Sequence, residues 1–260
     1  MKTINLNSDV GEGFGVYDIG NDDEMLANVS SANIACGFHA GDPNVMNRVI
    51  KTAKKYNVSI GAHPGFNDIW GFGRRRIYMP MDEIEASVAY QIGALQAMAV
   101  IENTKVTHVK PHGALNNMSS ESRDIAEAIT RGISGVDKNL ILVAVAGSYL
   151  FNSGIEAGLT VASEAYADRS YEDDGNMTSR KFDHAMIRNE QQAVKQVRSI
   201  VLDGIIIANS GKKIPVSVDT ICIHGDEPTG PAIASAIKEM LKKEGVIIKP
   251  LPEMQLRQQK

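Results

Sequence analysis

Cysteine and aromatic side chains are scarce in this 260-residue chain, with two cysteines, one tryptophan and 5% aromatics in all. Cys36 and Cys222 stand far apart, which excludes a disulfide framework and reads as a protein of the reducing cytoplasm. The longest apolar run, Leu140–Ala146, falls far short of the roughly 18 residues a membrane helix needs. The opening MKTINLNSDV lacks the apolar core of a secretory signal. Positive charge is not in excess either: 27 Lys and Arg against 31 Asp and Glu leave a net charge of −4. That argues against nucleic acid or an anionic membrane as partner, since both need a basic surface.

Several catalytic signatures are also missing. Ser210-Gly211-Lys212-Lys213 lacks the upstream glycine and the hydroxyl residue of a P-loop. Gly11, Gly13 and Gly15 form GxGxG, with Val16 where a dinucleotide fingerprint needs its last glycine. HExxH, CxxC and GxSxG do not occur.

The composition that is present, 43% hydrophobic and 22% charged, is that of an ordinary globular chain. Short β-rich segments alternate with longer amphipathic ones. Strands are expected at Thr3–Asp9, Ala32–Gly37, Val58–His63, Thr107–His112, Leu140–Ala146, Thr160–Tyr166 and Ser217–His224, with a weaker one at Val246–Lys249. Helical periodicity marks Asn44–Tyr56, Met81–Ile101, Gln192–Leu202 and Ile233–Leu241. Repeated strand–helix units imply a parallel sheet with right-handed crossovers. An open doubly wound sheet and a closed barrel both satisfy that. Seven or eight units in a length near the typical ~250 residues favour one α/β domain over residues 1–260, a TIM-like (β/α) barrel. The stretch Asp168–Lys181, rich in Asp, Arg and Gly, reads as a functional loop.

The polar residues collect at strand ends. Asn7, Asp9 and Glu12 follow the first strand, His39 and Asp42 the second, and His63 and then Arg74–Arg76 the third. His108, Lys110 and His112 share one parity on the fourth, as do Glu164, Tyr166 and Asp168 on the sixth if the extended conformation continues. Arg169 follows, and the last strand leads into His224 and Asp226. In a barrel these ends open on one face, and that face carries the chemistry. A single histidine at a strand end is usually structural. Five of the six histidines together with carboxylates point to an active site instead. Arg74–Arg76 reads either as a solvated loop or as an anion site. Cys36 reads as an inert buried thiol, Cys222 as core.

The blocks NLNSDVGEGFG, NIACGFHAGDP, GAHPGFND, GFGRR, VKPHGALNN, EAYADRSY and IHGD, in this order, resemble the LamB/YcsF family. The resemblance spans Asn5 to about Pro250. It implies a seven-stranded barrel of the glycoside hydrolase/deacetylase type, with the Val246–Lys249 strand peripheral. It also implies the A component of an ATP-dependent 5-oxoprolinase, working with subunits B and C on 5-oxo-L-proline. ATP would be co-substrate, with Mg²⁺ accompanying it. The chemistry needs cationic clamps, a base and oxyanion donors. On this reading Lys110 and Arg169 are clamps, supported by Arg74 or Arg75. His112 or Glu164 is the base, and Asp9 orients His39 or His63. Asn7, Glu12, Asp42, Asp168 and His224 bind substrate or phosphate. The alternative is a stand-alone metal-dependent deacetylase holding its ion on Asp9, His39 and His63. The local histidine spacing of such enzymes is absent, so no tightly held metal is expected. A third reading makes the chain a binding component with catalysis elsewhere.

Overall fold

The computed structural model describes residues 1–225 and 228–256, so Asp226 lies outside the described residues. The chain runs β1 (Thr3–Val10), α1 (Asp22–Leu26), β2 (Ser31–Ala35), α2 (Pro43–Lys55), β3 (Ser59–His63) and α3 (Met81–Ile101). It continues through β4 (Val106–Val109), α4 (Gly113–Glu121), α5 (Arg123–Val136), β5 (Ile141–Val145), α6 (Tyr149–Glu156) and β6 (Thr160–Tyr166). The last part is α7 (Glu190–Arg198), β7 (Ile205–Ile207), β8 (Lys213–Pro215), β9 (Thr220–Cys222), α8 (Gly230–Lys243) and β10 (Ile247–Ile248).

β1 to β6 and then β9 form one parallel sheet, which closes because β1 pairs with both β2 and β9. The closing register sets Asn5 against Thr220 and Asn7 against Cys222. The result is the α/β barrel expected from the sequence, with the seven strands that the family resemblance implies. β10 pairs with the first residues of β1, Thr3 and Ile4. It is parallel but lies outside the ring, the peripheral position expected for it.

Local sequence explains the elements. Asp42 caps α2 by accepting from the amides of Asn44 and Val45, and Pro43 starts the helix. Along α2, Val45, Met46, Val49, Ile50 and Ala53 are buried on one face. α3 is, by length and composition, apolar enough to cross a membrane. It serves here as a core helix, burying Ile84, Val88, Ile92 and Leu95 and packing along α5. Its buried Gln91 receives the Gly65 amide and donates to the Gly65 carbonyl, pinning the loop after β3.

Four features depart from expectation. Strand ends are shorter than the hydrophobic pattern suggested: β4 stops at Val109 and β9 at Cys222. Pro111 cannot donate to a ladder, and Gly113 takes a positive φ of 50° to start α4. The helices α4, α5 and α6 occupy stretches with no assigned periodicity. An antiparallel hairpin, β7–β8, fills part of the long connection before β9. α7 ends in a wide turn at Ser199–Asp203, so the expected Gln192–Leu202 helix is split.

The barrel interior is mostly polar. At its base lies a small apolar cluster of Ile141, Val143, Ala162 and Leu251, and Leu251 comes from the C-terminal segment. Above it a hydrogen-bonded ladder climbs the axis. Asn5 donates to Ser31 Oγ (2.8 Å), Thr220 Oγ1 to Asn5 Oδ1 (2.6 Å), and Asn7 Nδ2 to Thr220 Oγ1 (2.7 Å). Asn33 donates to Asn7 Oδ1 (2.8 Å), and its own side-chain carbonyl lies 3.1 Å from His108 Nε2. Burial pushes the His108 pKa down to about 3, so this ring is a neutral strut. Pairing these groups offsets the desolvation cost of filling a barrel with amides.

Candidate active site

At the C-terminal mouth of the strands a cavity of about 820 Å³ opens. Its floor is the Lys110 ammonium, which lies 3.0 Å from Asp9 Oδ1 and 3.1 Å from Glu164 Oε1. The same nitrogen is 3.0 Å from Cys222 Sγ. Cys222, expected to be core, is buried but belongs to this floor. Burial would strip the lysine of its charge, yet Asp9 and Glu164 hold it well above the ordinary lysine range. Asp9 is likewise buried. The neighbouring His63 imidazole and Lys110 ammonium outweigh that burial and keep its carboxyl well below the usual range. Asn7 Nδ2 donates to Glu164 (2.9 Å), and Asn33 Nδ2 to Asp9 (2.8 Å), so each carboxylate has a neutral donor as well. Glu164 does not line the cavity.

A second cluster sits beside the floor. Glu12 Oε1 meets His39 Nε2 at 3.0 Å, His112 Nδ1 at 3.3 Å and His63 Nε2 at 4.0 Å. His63 Nε2 also lies 3.3 Å from Asp9 Oδ2. The rings of His39 and His112 stack with centroids 3.6 Å apart. Burial lowers both their pKa values well below that of free histidine, which keeps them neutral. The backbone fixes two tautomers. His63 Nδ1 donates to the Lys110 carbonyl (2.6 Å), and His112 Nε2 to the Phe72 carbonyl (2.8 Å). The close packing explains three glycines: a Cβ on Gly61 would enter the His108 ring, one on Gly65 would sit 2.7 Å from His39 Nδ1, and one on Gly73 would sit 2.7 Å from His39 Cβ.

The opposite wall carries a dyad. His224 Nδ1 lies 2.9 Å and 2.8 Å from the two oxygens of Asp168, whose Oδ2 also accepts from the His224 amide. Burial disfavours charge on both, but their attraction prevails: the His224 pKa is raised and that of Asp168 lowered. Tyr166 stacks on His224 at 5.6 Å and lies 5.3 Å from the Lys110 ammonium.

The remaining expected residues divide between cavity and elsewhere. Arg74, Arg76 and Arg169 line the cavity, as do Thr178, Arg180 and Lys181 of the loop read as functional. Arg169 is buried, and it donates to the carbonyls of Thr178 and Ala185, so it also holds that loop. Arg75 instead pairs with Asp68 away from the cavity, because Asp68 caps the short helical turn before it. Asp42 is committed to the α2 cap and to the Gly15 amide (2.7 Å). Asp9, His39 and His63, grouped as an alternative metal triad, are not one set here: Asp9 faces His63 and Lys110, while His39 faces Glu12. Cys36 is buried with its pKa pushed up to about 12, which removes it as a nucleophile.

Fold and site together define a seven-stranded (β/α) barrel with a polar face at the C-terminal ends of its strands. A catalytic domain of a peptidoglycan N-acetylglucosamine deacetylase from Eubacterium rectale shares this fold, with a TM-score of 0.52 at 14% identity over all of this chain and 93% of that one. The family model for LamB/YcsF matches residues 4–256, and the chain belongs to that family. The chain is 48% identical to the A component of 5-oxoprolinase from Staphylococcus carnosus, over 95% of this chain and 98% of that protein. It is 46% identical to the same component from Natranaerobius thermophilus, over 96% and 98%. The crystal structure of a lactam utilization protein from Thermus thermophilus superposes with a TM-score of 0.91 at 38% identity, over 96% of this chain and 100% of that one.

Proposed function

We propose that this chain is the hydrolytic component of a cytoplasmic, ATP-dependent 5-oxoprolinase, assembled with subunits B and C. The observation that carries this reading is a buried, charged lysine, Lys110, held between Asp9 and Glu164 at the floor of a cavity rimmed by arginines. That arrangement suits a small carboxylated amide whose carbonyl oxygen gains negative charge. Near-half identity to named 5-oxoprolinase components supports the lactam over an acetyl group.

A lactam carbonyl is a poor electrophile, and ATP remedies that. The lactam oxygen takes the γ-phosphoryl group, releasing ADP, with Mg²⁺ accompanying the nucleotide. Water then adds to the activated carbon. The ring C–N bond breaks, its electron pair and a proton going to nitrogen. A second water displaces phosphate and leaves L-glutamate. Lys110 stabilises the oxygen that becomes anionic. His224, kept protonated by Asp168, supplies the proton to the departing nitrogen. Water is activated at the Glu12–imidazole cluster, which contains His112. Glu164 is committed to Lys110 and Asn7 instead. Arg74, Arg76 and Arg169 offer the carboxylate or phosphate its counter-charges.

The test is glutamate and phosphate release from 5-oxoproline and ATP, by this chain alone, by subunits B plus C, and by all three. Coupled turnover is expected only from the complete set. Lys110→Met in the complete set should lower it at least about 100-fold. Unchanged turnover would remove the proposed floor from the reaction.

A further inference from the structure

Two hydrogen bonds in the site fix which imidazole nitrogens face its centre. The Lys110 and Phe72 carbonyls can only accept, so His63 carries its proton on Nδ1 and His112 on Nε2. The opposite nitrogens, His63 Nε2 and His112 Nδ1, therefore carry the lone pairs available to a ligand. These two lone pairs face each other at 3.0 Å. The carboxylate oxygen Glu12 Oε1, acceptor only when ionised, closes on both of them. His39 Nε2 meets that same oxygen from the other side. Four ligand atoms thus converge, all within 4.8 Å of one another. A shared proton would relieve one of these contacts. A cation at the centre relieves all of them.

The spacing is that of a particular coordination shell. Metal–nitrogen and metal–oxygen bonds of about 2.0–2.1 Å in a tetrahedron put neighbouring ligand atoms roughly 3.3–3.4 Å apart. Four of the edges measure 3.0, 3.0, 3.3 and 4.0 Å. The backbone carbonyls behind His63 and His112 are the outer partners that orient metal-bound imidazoles. We propose that Glu12, His39, His63 and His112 form a tetrahedral site for one divalent transition metal of the zinc class. The ligand set of three imidazoles and one carboxylate selects against calcium and magnesium, which prefer all-oxygen shells. With all four positions filled by protein, such an ion gains an open position for water or a substrate oxygen only when one of the four side chains moves off it. This departs from the expectation of no tightly held metal. That expectation was drawn from local sequence spacing, whereas the four ligands lie at or just beyond the ends of β1, β2 and β3 and on the residue preceding α4.

The site is tested without substrate, so its failure is distinct from failure of the lactam reading. The full-length chain, purified without chelator, should contain about one equivalent of zinc-class metal by elemental analysis. After chelator treatment it should bind Co²⁺ one to one, with the intense visible absorption of a tetrahedral ion. X-ray absorption of the zinc form should show three imidazoles and one oxygen at about 2.0–2.1 Å. Glu12→Gln and His63→Gln should each weaken binding at least about 100-fold. The proposal is overturned by any of three results: no metal retained or taken up, weak octahedral Co²⁺ absorption, or wild-type affinity in both folded variants. Should the variants fail to fold, the count of imidazoles in the wild-type absorption spectrum still decides.

Discussion

At the scale of single residues, the site is a set of charges kept in the barrel by mutual pairing. Lys110 shows the balance most plainly. A lone buried ammonium would lose its proton, and two flanking carboxylates reverse that. His224 and Asp168 repeat the arrangement on the far wall. The His224 pKa is raised in the folded chain, so its contribution to stability is fully present below the value of free histidine and is lost as pH rises through the raised value. Asp168, lowered, contributes above the ordinary carboxylate range and loses that contribution as pH falls through its own lowered value. Asp168→Asn should lower the His224 pKa, because only the more distant Asp9 then opposes burial, and should cost about 1–3 kcal/mol near neutral pH. A histidine-resolved NMR titration checks the first effect. Denaturant unfolding as a function of pH checks the second, and the deficit should shrink above the raised His224 pKa. The histidines at the strand ends were legible in the sequence. Their partners were less so: Glu12 was expected to bind substrate rather than to gather three imidazoles. The role of Cys222 beside Lys110 gave no signal, because an apolar-looking strand residue reads as core until the barrel closes.

At the scale of elements, the parity of the strands carries the placement. His108 and Lys110 point into the barrel because they alternate with apolar Val109, which packs outward. The β3–β4 pairing shifts register between Ile60 and Gly61. Gly61 faces the His108 ring so closely that a methyl group has no room. Gly61→Ala should therefore force β3 and β4 apart and destabilise the fold by about 1–3 kcal/mol or more. Chemical denaturation would measure this, and an unshifted midpoint would show that the ring can swing away. Periodicity found α2, α3 and α8 because their apolar residues fall at helical spacing. It did not assign α4, although its glycine-initiated first turn is what carries His112 at its N-cap. There the backbone conformation at Gly113, rather than hydrophobic spacing, starts the helix.

At the scale of the whole molecule, the barrel is open at one end and sealed at the other. The C-terminal segment does the sealing. Asn5 and Ser30 donate to the Lys249 carbonyl, the Leu251 amide donates to Ser31, and the Leu251 side chain caps Ile141, Val143 and Ala162. This plug joins residues from opposite ends of the chain. Leu251→Ala should cost about 2–4 kcal/mol by leaving a cavity under the polar ladder. A thermal or denaturant transition of the full chain would register the loss. A change below about 0.5 kcal/mol would mean that the segment lies on the barrel without supporting it.

The sequence by itself determined the alternation of strands and helices and the clustering of polar residues at strand ends. These follow from local periodicity, which a chain displays wherever it folds. Only the tertiary structure decided which strands close the ring, which polar residues touch, and which are spent elsewhere. Asp42 became a helix cap and Arg75 a partner of Asp68, while Glu12 was carried into the imidazole cluster. Such choices depend on distances between segments remote in sequence, and those distances exist only once β1 has paired with β9.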